Sequence, residues 1–267
     1  MSTLSGPSEF GWSFCIPTMA GSEHQLSQAI NSIASEFSEA TNFEIIVIGA
    51  CAVSELKNFI SPSIFEHLQF LPFKEEHFSL NWKRFRRAIK KGNFRDALMR
   101  EGWITRKKNL LVQHARFENV CLLHDYVALL PGWREGYSRY GFDWEVCMNA
   151  VLNKNQTRHR DWLVWDYPGV GSALLPYEVG NLSQFMYISG TYFCVKKKFI
   201  TENPLNEKLH WGESEDVEWS MHARRLTDFK FNPYSRVIYV KEKSLADPPY
   251  CDDWQNNARL LAKKLVE

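Results

Sequence analysis

Several things are missing from this chain, and each absence excludes something. No stretch approaches the roughly 20 consecutive apolar residues that a membrane-spanning helix needs. No apolar run follows a basic segment at the N-terminus. Together these absences predict a soluble protein made in the cytoplasm. Charge of one sign is lacking too: 32 Lys and Arg stand against 31 Asp and Glu, a net of +1. Attraction to nucleic acid or anionic lipid would therefore need a local patch, and nucleic acid is the least favoured partner. The six cysteines (Cys15, Cys51, Cys121, Cys147, Cys194, Cys251) show no CxxC spacing, and several lie inside apolar runs. They read as reduced core residues rather than a disulfide frame or zinc site. There is no internal repeat and no low-complexity tract.

What is present is enough apolar surface for a large core. Hydrophobic residues make up 45% of the 267 and aromatics 14%, which sets disorder aside. The length suits one large α/β domain, or one domain with a sub-lobe. Trp12–Thr18 (WSFCIPT) reads as a first strand ended by Pro17. Ser22 is placed to cap a helix over 23–37, where Leu26, Ile30, Ile33, Ala34 and Phe37 keep a 3.6-residue period. Phe43–Ile48 (FEIIVI) reads as a second buried strand, stopped by Gly49 and Ala50. Strand, helix, strand at this spacing is a βαβ unit with a parallel sheet and a right-handed crossover. A short helix is expected over 54–60 and a third strand over 68–73.

The chain is organised around 102–133 and 186–225. In the first stretch an amphipathic basic run carries Leu110, Leu111, Val112 and Ala115 among Arg106, Lys107, Lys108 and Asn109. It suits a helix lying on a sheet. Val120–Leu123 then reads as a strand buried on both faces, ending on His124, Asp125 and Tyr126. A carboxylate at the carboxyl end of such a strand is where open α/β sheets bind ligands. Phe185–Val195 reads as a bent strand or strand pair, with Gly190 at its middle for close approach to a ligand. His210, Trp211 and Gly212 lead into the acidic run 213–218, which opens a helix ending near Arg225. Final strands are expected over 229–232 and 236–240, and an amphipathic helix over 252–266.

Two regions stay open between a bland and a sharp reading. The basic segment 83–95 (Lys83, Arg84, Arg86, Arg87, Lys90, Lys91, Arg95) is either a solvated face or a patch for phosphates. In the second case it offers peripheral contact with a membrane. The aromatics of 132–180 either pack or cover the faces of a sugar, with Gly169 and Gly171 marking a mobile stretch. Asp125 is either a strand-end cap or a partner for a metal-borne diphosphate. Asp216 or Glu215 is either part of a solvated helix start or a general base for an acceptor hydroxyl.

Four segments carry a resemblance: FCIPTMAG at 14–21, RKKNLLVQHARFENVCLLHDYV at 106–127, MYISGTYFCVKKKFI at 186–200 and WGESEDVEWSMHARR at 211–225. The chain resembles a nucleotide-sugar glycosyltransferase of the GT-A fold, of the family-two type, over most of 12–240. The resemblance implies a Rossmann-like, mostly parallel central sheet flanked by helices, with a smaller acceptor-side sub-lobe. It implies one domain over 1–267: a nucleotide half at 12–130, an acceptor half at 131–240 and a helical tail at 241–267. The donor, a UDP-sugar by preference, would meet Pro17, Thr18, Gly49, Ala50, Lys108, Asn109, His124, Asp125 and Tyr126. Asp125 and His124 would face manganese or magnesium. Asp216 would be the base and Glu215 would hold the acceptor, with Gly190, Trp211, Gly212 and Glu213 lining its pocket. The acceptor would be a glycan, a lipid-linked species or a protein, and the reaction a direct, inverting displacement.

The chain departs from the family pattern at three points. Strand two ends Ile48-Gly49-Ala50, where many relatives carry an acidic pair. The metal motif holds one carboxylate, in His124-Asp125-Tyr126. The last strand ends Lys241-Glu242-Lys243, without a third ligand. Two other classes remain: a sugar-phosphate nucleotidyltransferase, and a catalytically silent binding protein of the same fold. The first usually has a glycine-rich phosphate loop near the N-terminus, and here Gly21 alone follows strand one.

Overall fold

The computed structural model describes residues 11–37, 42–51, 53–73, 86, 89, 104–178, 185–209, 214–241 and 254–266. The basic segment 83–95, apart from residues 86 and 89, lies outside them. So do His210, Trp211, Gly212 and Glu213.

The first strand, β1 (Trp12–Thr18), is buried on both faces. Alternation sends Trp12, Phe14 and Ile16 to one core and Cys15 to the other. Helix α1 (Glu23–Glu36) lays Leu26, Ile30 and Ile33 on the first core. Each such side chain contributes roughly 1.5–3 kcal/mol of burial. Next come β2 (Phe43–Gly49), the single turn α2 (Val53–Leu56), a 3-10 turn (Pro62–His67) and β3 (Leu68–Leu71). Helix α3 (Ile104–His114) covers the opposite face with Leu111 and Val112, which belong to the second core. It leads into β4 (Asn119–Leu123), β5 (Val127–Leu129) and α4 (Trp133–Tyr140). The chain continues through β6 (Val146–Leu152), β7 (Leu163–Tyr167), β8 (Gly171–Leu174), β9 (Met186–Tyr187) and β10 (Tyr192–Lys196). It closes with α5 (Lys197–Glu202), α6 (Glu215–Ala223), β11 (Phe229–Tyr239) and α7 (Trp254–Val266).

Eight strands form the main sheet in the order β3-β2-β1-β4-β10-β6-β11-β5. β1 pairs in parallel with β2 and β4, and β6 with β11, while β10 and β5 run against their neighbours. The carboxyl ends of β1, β2, β4, β6 and β11 therefore share one rim. A second sheet, β8-β7-β9, is antiparallel, and α7 packs on it through buried Leu261 and a bond from Asn257 Nδ2 to the Ser172 carbonyl (2.9 Å).

Several expectations are corrected here. β1 has the expected bounds, and Pro17 is accommodated inside it, opposite Ile48 in the parallel ladder with β2. The two final strands are one, β11, with a bulge between Asn232 and Arg236. Asn232 holds that bulge: its Oδ1 accepts the Tyr234 N–H at 2.9 Å and its Nδ2 donates to Ser235 Oγ at 3.0 Å. Within 132–178, Trp133, Tyr137, Trp144 and Trp162 are buried in the core. Trp133 stands edge-on to Trp12 at 4.7 Å and its indole N–H donates to the Tyr192 hydroxyl at 2.9 Å. Gly169 and Gly171 sit at the tight hairpin joining β7 to β8, both at positive φ. Among the described residues, no helix is long and apolar enough to cross a membrane.

Candidate active site

Thr18 ends β1 and Asp125 follows β4, its neighbour. The Thr18 hydroxyl donates to Asp125 Oδ2 at 2.8 Å. A tight turn holds Asp125 in place: His124 N–H donates to the Thr191 carbonyl at 2.9 Å, and Val127 N–H to the His124 carbonyl at 3.0 Å. Asp125 is 7% exposed. Burial pushes its carboxyl above the usual carboxylate range, and hydrogen bonds from Thr18 and Ser22 pull part of that back. Ser22, expected to cap α1, makes no side-chain cap bond.

At the end of β2, Gly49 has φ +126°, and a Cβ there would stand 2.1 Å from the Thr18 carbonyl oxygen. Only glycine lets the two strand ends come this close. The same carbonyl accepts a bond from Lys107 Nζ at 3.1 Å. Beside them Cys51 is half-buried. Its thiol is pushed up to about 11, by burial first and then by the charges of Glu23, Asp125 and Glu55.

The other half of the site is built around Gly190. Its N–H donates to Asp216 Oδ2 at 2.9 Å, and its carbonyl accepts from Lys108 Nζ at 2.8 Å. Asp216 Oδ1 accepts the Val217 N–H at 2.9 Å, a bond typical of a helix first turn. Glu215 lies 3.6 Å from Lys108 Nζ. The Glu215 charge is thus matched by a fully buried ammonium, while both oxygens of half-buried Asp216 face backbone N–H groups. Tyr187 is buried beside this pair, and burial, then the Asp216 charge, raises its hydroxyl pKa.

Lys107 and Lys108 are adjacent on α3, yet one holds the Thr18 end and the other the Gly190 end. The two acidic groups are thereby brought to one rim. Of the other sequence-predicted residues, Pro17, Thr18, Gly49 and Ala50 close strand ends on that rim. Asn109 turns away: its amide group bonds the Leu205 backbone at 2.9 and 3.0 Å. Tyr126 lies between His124 and Tyr239, ring centroids 5.3 and 5.5 Å away. Residues that sequence reasoning passed over are Lys107, Ser22 and Cys51. The first had a signal, two adjacent lysines on an otherwise apolar helix face.

The expected manganese or magnesium can be tested against these side chains. Asp125 is the carboxylate at this end, and Thr18 already occupies one of its oxygens. Among the described residues, no three His, Cys, Asp or Glu side chains gather as a ligand set. The described side chains therefore form no closed cage for such an ion, which is usually held by one or two carboxylates together with substrate phosphates.

The rim and the sheet order match one architecture. The chain has a GT-A-like fold. S. aureus TarS 1–349 in complex with UDP-GlcNAc superposes with a TM-score of 0.54, at 13% identity, over 97% of this chain and 67% of that one. TarS 1–349 in complex with UDP gives 0.52 at 13%, over 86% and 60%. S. aureus TarS itself gives 0.53 at 14%, over 97% and 40%. The chain thus spans about 60% of the length of the UDP-bound structure. No family model matches the sequence. No curated protein matches it either. The GT-A-like likeness is one of backbone course, and the activity has to be argued from the side chains.

Proposed function

We propose that this protein is a glycosyltransferase that moves a sugar from a nucleotide-sugar donor to an acceptor hydroxyl, with inversion. The observation that carries this reading is the bridging of Asp125–Thr18 and Asp216–Gly190 by two consecutive lysines of one helix. The fold shared with a protein solved with UDP and UDP-GlcNAc favours a UDP-sugar as donor. The nucleoside would lie against Pro17, Thr18, Gly49 and Ala50, with its diphosphate near Asp125. The acceptor, a hydroxyl of a glycan, lipid-linked species or protein, would sit by Gly190 and α6.

Asp216 is the base in this reading. Its carboxylate takes the proton of the acceptor hydroxyl as the oxygen attacks the anomeric carbon. The new carbon–oxygen bond forms on the face of the anomeric carbon opposite the departing diphosphate. The bond to the phosphate oxygen breaks, and the nucleoside diphosphate leaves with the electron pair. Glu215 is less suited to this step because Lys108 already matches its charge. The two backbone N–H groups fix the direction of the Asp216 carboxylate, so little reorganisation accompanies the proton transfer.

The test is Asp216→Asn, assayed by release of nucleoside diphosphate from a panel of nucleotide sugars. Turnover should fall by about a hundred- to ten-thousand-fold, the span of general-base catalysis, while donor binding persists. Unchanged turnover would remove Asp216 from this role.

A further inference from the structure

We propose that Lys241 is the cation that holds the donor's diphosphate in this site, an inference that rests on the glycosyltransferase reading. The departing diphosphate gains negative charge as the glycosidic bond breaks, and a preorganised positive group must meet it. The described donor set does not form a cage for a divalent cation. Lys107 and Lys108 are buried, with their ammonium groups on the carbonyls of Thr18 and Gly190.

Strand register points to Lys241. β11 pairs antiparallel with β5, with Val237 opposite Leu129, Ile238 opposite Ala128 and Tyr239 opposite Val127. Beyond the strand, Val240 N–H donates to the Tyr126 carbonyl at 3.0 Å. Lys241 follows Val240 directly and Asp125 directly precedes Tyr126, so this bond brings the two backbones side by side at the rim. β4 and β11 also end on the same rim, so both residues border the site from the carboxyl side of their strands. Lys241 is exposed and Asp125 is buried. The Lys241 charge reaches Asp125, where it opposes part of the upward push of burial on that carboxyl. An ammonium has three donors and no acceptor, so it can face a carboxylate and phosphate oxygens together. Lysine binds phosphate as a point charge, without the planar geometry that arginine imposes.

The experiment measures binding by calorimetry, using the full chain and whichever of UDP, GDP and ADP binds most tightly. It compares the wild type with Lys241→Ala and Lys241→Arg, in EDTA and in millimolar manganese. Lys241→Ala should weaken diphosphate binding roughly tenfold or more, the scale of a lost charge-assisted bond. Lys241→Arg should keep most of it, and binding of the matching nucleoside should not change. The wild-type affinity should be the same in EDTA and in manganese. An unchanged Lys241→Ala affinity would overturn the inference. A manganese requirement would overturn it too, whatever the variants do, and leave the glycosyltransferase reading standing. Failure of the wild type to bind any nucleoside diphosphate would bring down both.

Discussion

The Asp216 carboxylate accepts the backbone N–H of Gly190 at 2.9 Å, across 26 positions of sequence. The carbonyl of the same glycine takes Lys108 at 2.8 Å, so one residue ties Asp216 to the helix under the sheet. A Cβ at 190 would stand 3.0 Å from both Asp216 Cβ and Lys108 Nζ. Gly190→Ala should therefore push Asp216 aside. Turnover should drop at least tenfold, with a stability loss of about 1–3 kcal/mol from overpacking. Paired kinetics and urea unfolding measure the two effects separately, and full activity would show that the contact is not strained.

Lys108 is buried and Glu215 is nearly so, with side chains 1% and 12% exposed at 3.6 Å. Lys108→Met keeps the packing but strands the Glu215 charge and the Gly190 carbonyl. It should destabilise by about 2–4 kcal/mol, somewhat below a fully buried pair because Glu215 retains some water. Adding Glu215→Gln should recover part of that loss. Additive losses in urea unfolding would mean that the two groups do not interact.

Asp125 gives a pH dependence whose sign can be stated. Burial raises its folded pKa above 3.8, against smaller opposing pulls from Thr18 and Ser22. The folded state then binds its proton more tightly than the unfolded state. Its contribution to stability falls as pH rises from the unfolded pKa through the folded one. Asp125→Asn should therefore raise the melting temperature more at about pH 7 than at about pH 4, where the native carboxyl is itself protonated. Equal shifts at both pH values, read by scanning calorimetry, would count against a raised pKa.

Gly49 has a φ of +126°, and the Thr18 carbonyl oxygen lies 2.1 Å from where a Cβ would be. Backbone cannot give way as a flexible side chain does. Gly49→Ala should cost roughly 2 kcal/mol or more and displace the Thr18 end that bonds Asp125. Thermal shifts with UDP should shrink in parallel with stability. A variant that binds UDP like the wild type would show that Thr18 had not moved.

Much of the fold was legible because periodicity reports burial directly. VCLL is apolar throughout and FEIIVI is so but for Glu44, and both prove to be strands buried on two faces. The helix of 23–36 announced itself by spacing alone. The bulge in β11 was not legible, since Asn232, Pro233, Tyr234 and Ser235 read as a turn. The Asn232 side chain, bonded along its own strand, helps keep the two halves in one ladder. The aromatics of 132–180 were equally ambiguous, because a ring that packs and a ring that binds sugar have the same letter. Trp133 and Trp162 are buried, and that settles them as core.

By itself the sequence determined the strands and helices, their order, and two acidic groups placed at element ends. Those depend on neighbours within a few residues. The tertiary structure decided which charges meet. Adjacent helix residues point about 100° apart, so Lys107 and Lys108 could not be assigned to opposite ends of the site until α3 was seated on the sheet. Thr18 and Asp125 lie 107 positions apart, and only the close approach of the β1 and β4 ends let the one bond the other. Strand register, which composition does not encode, brought the chain at Lys241 beside the turn of Asp125 across more than 110 residues, because each backbone bond in a ladder fixes the next.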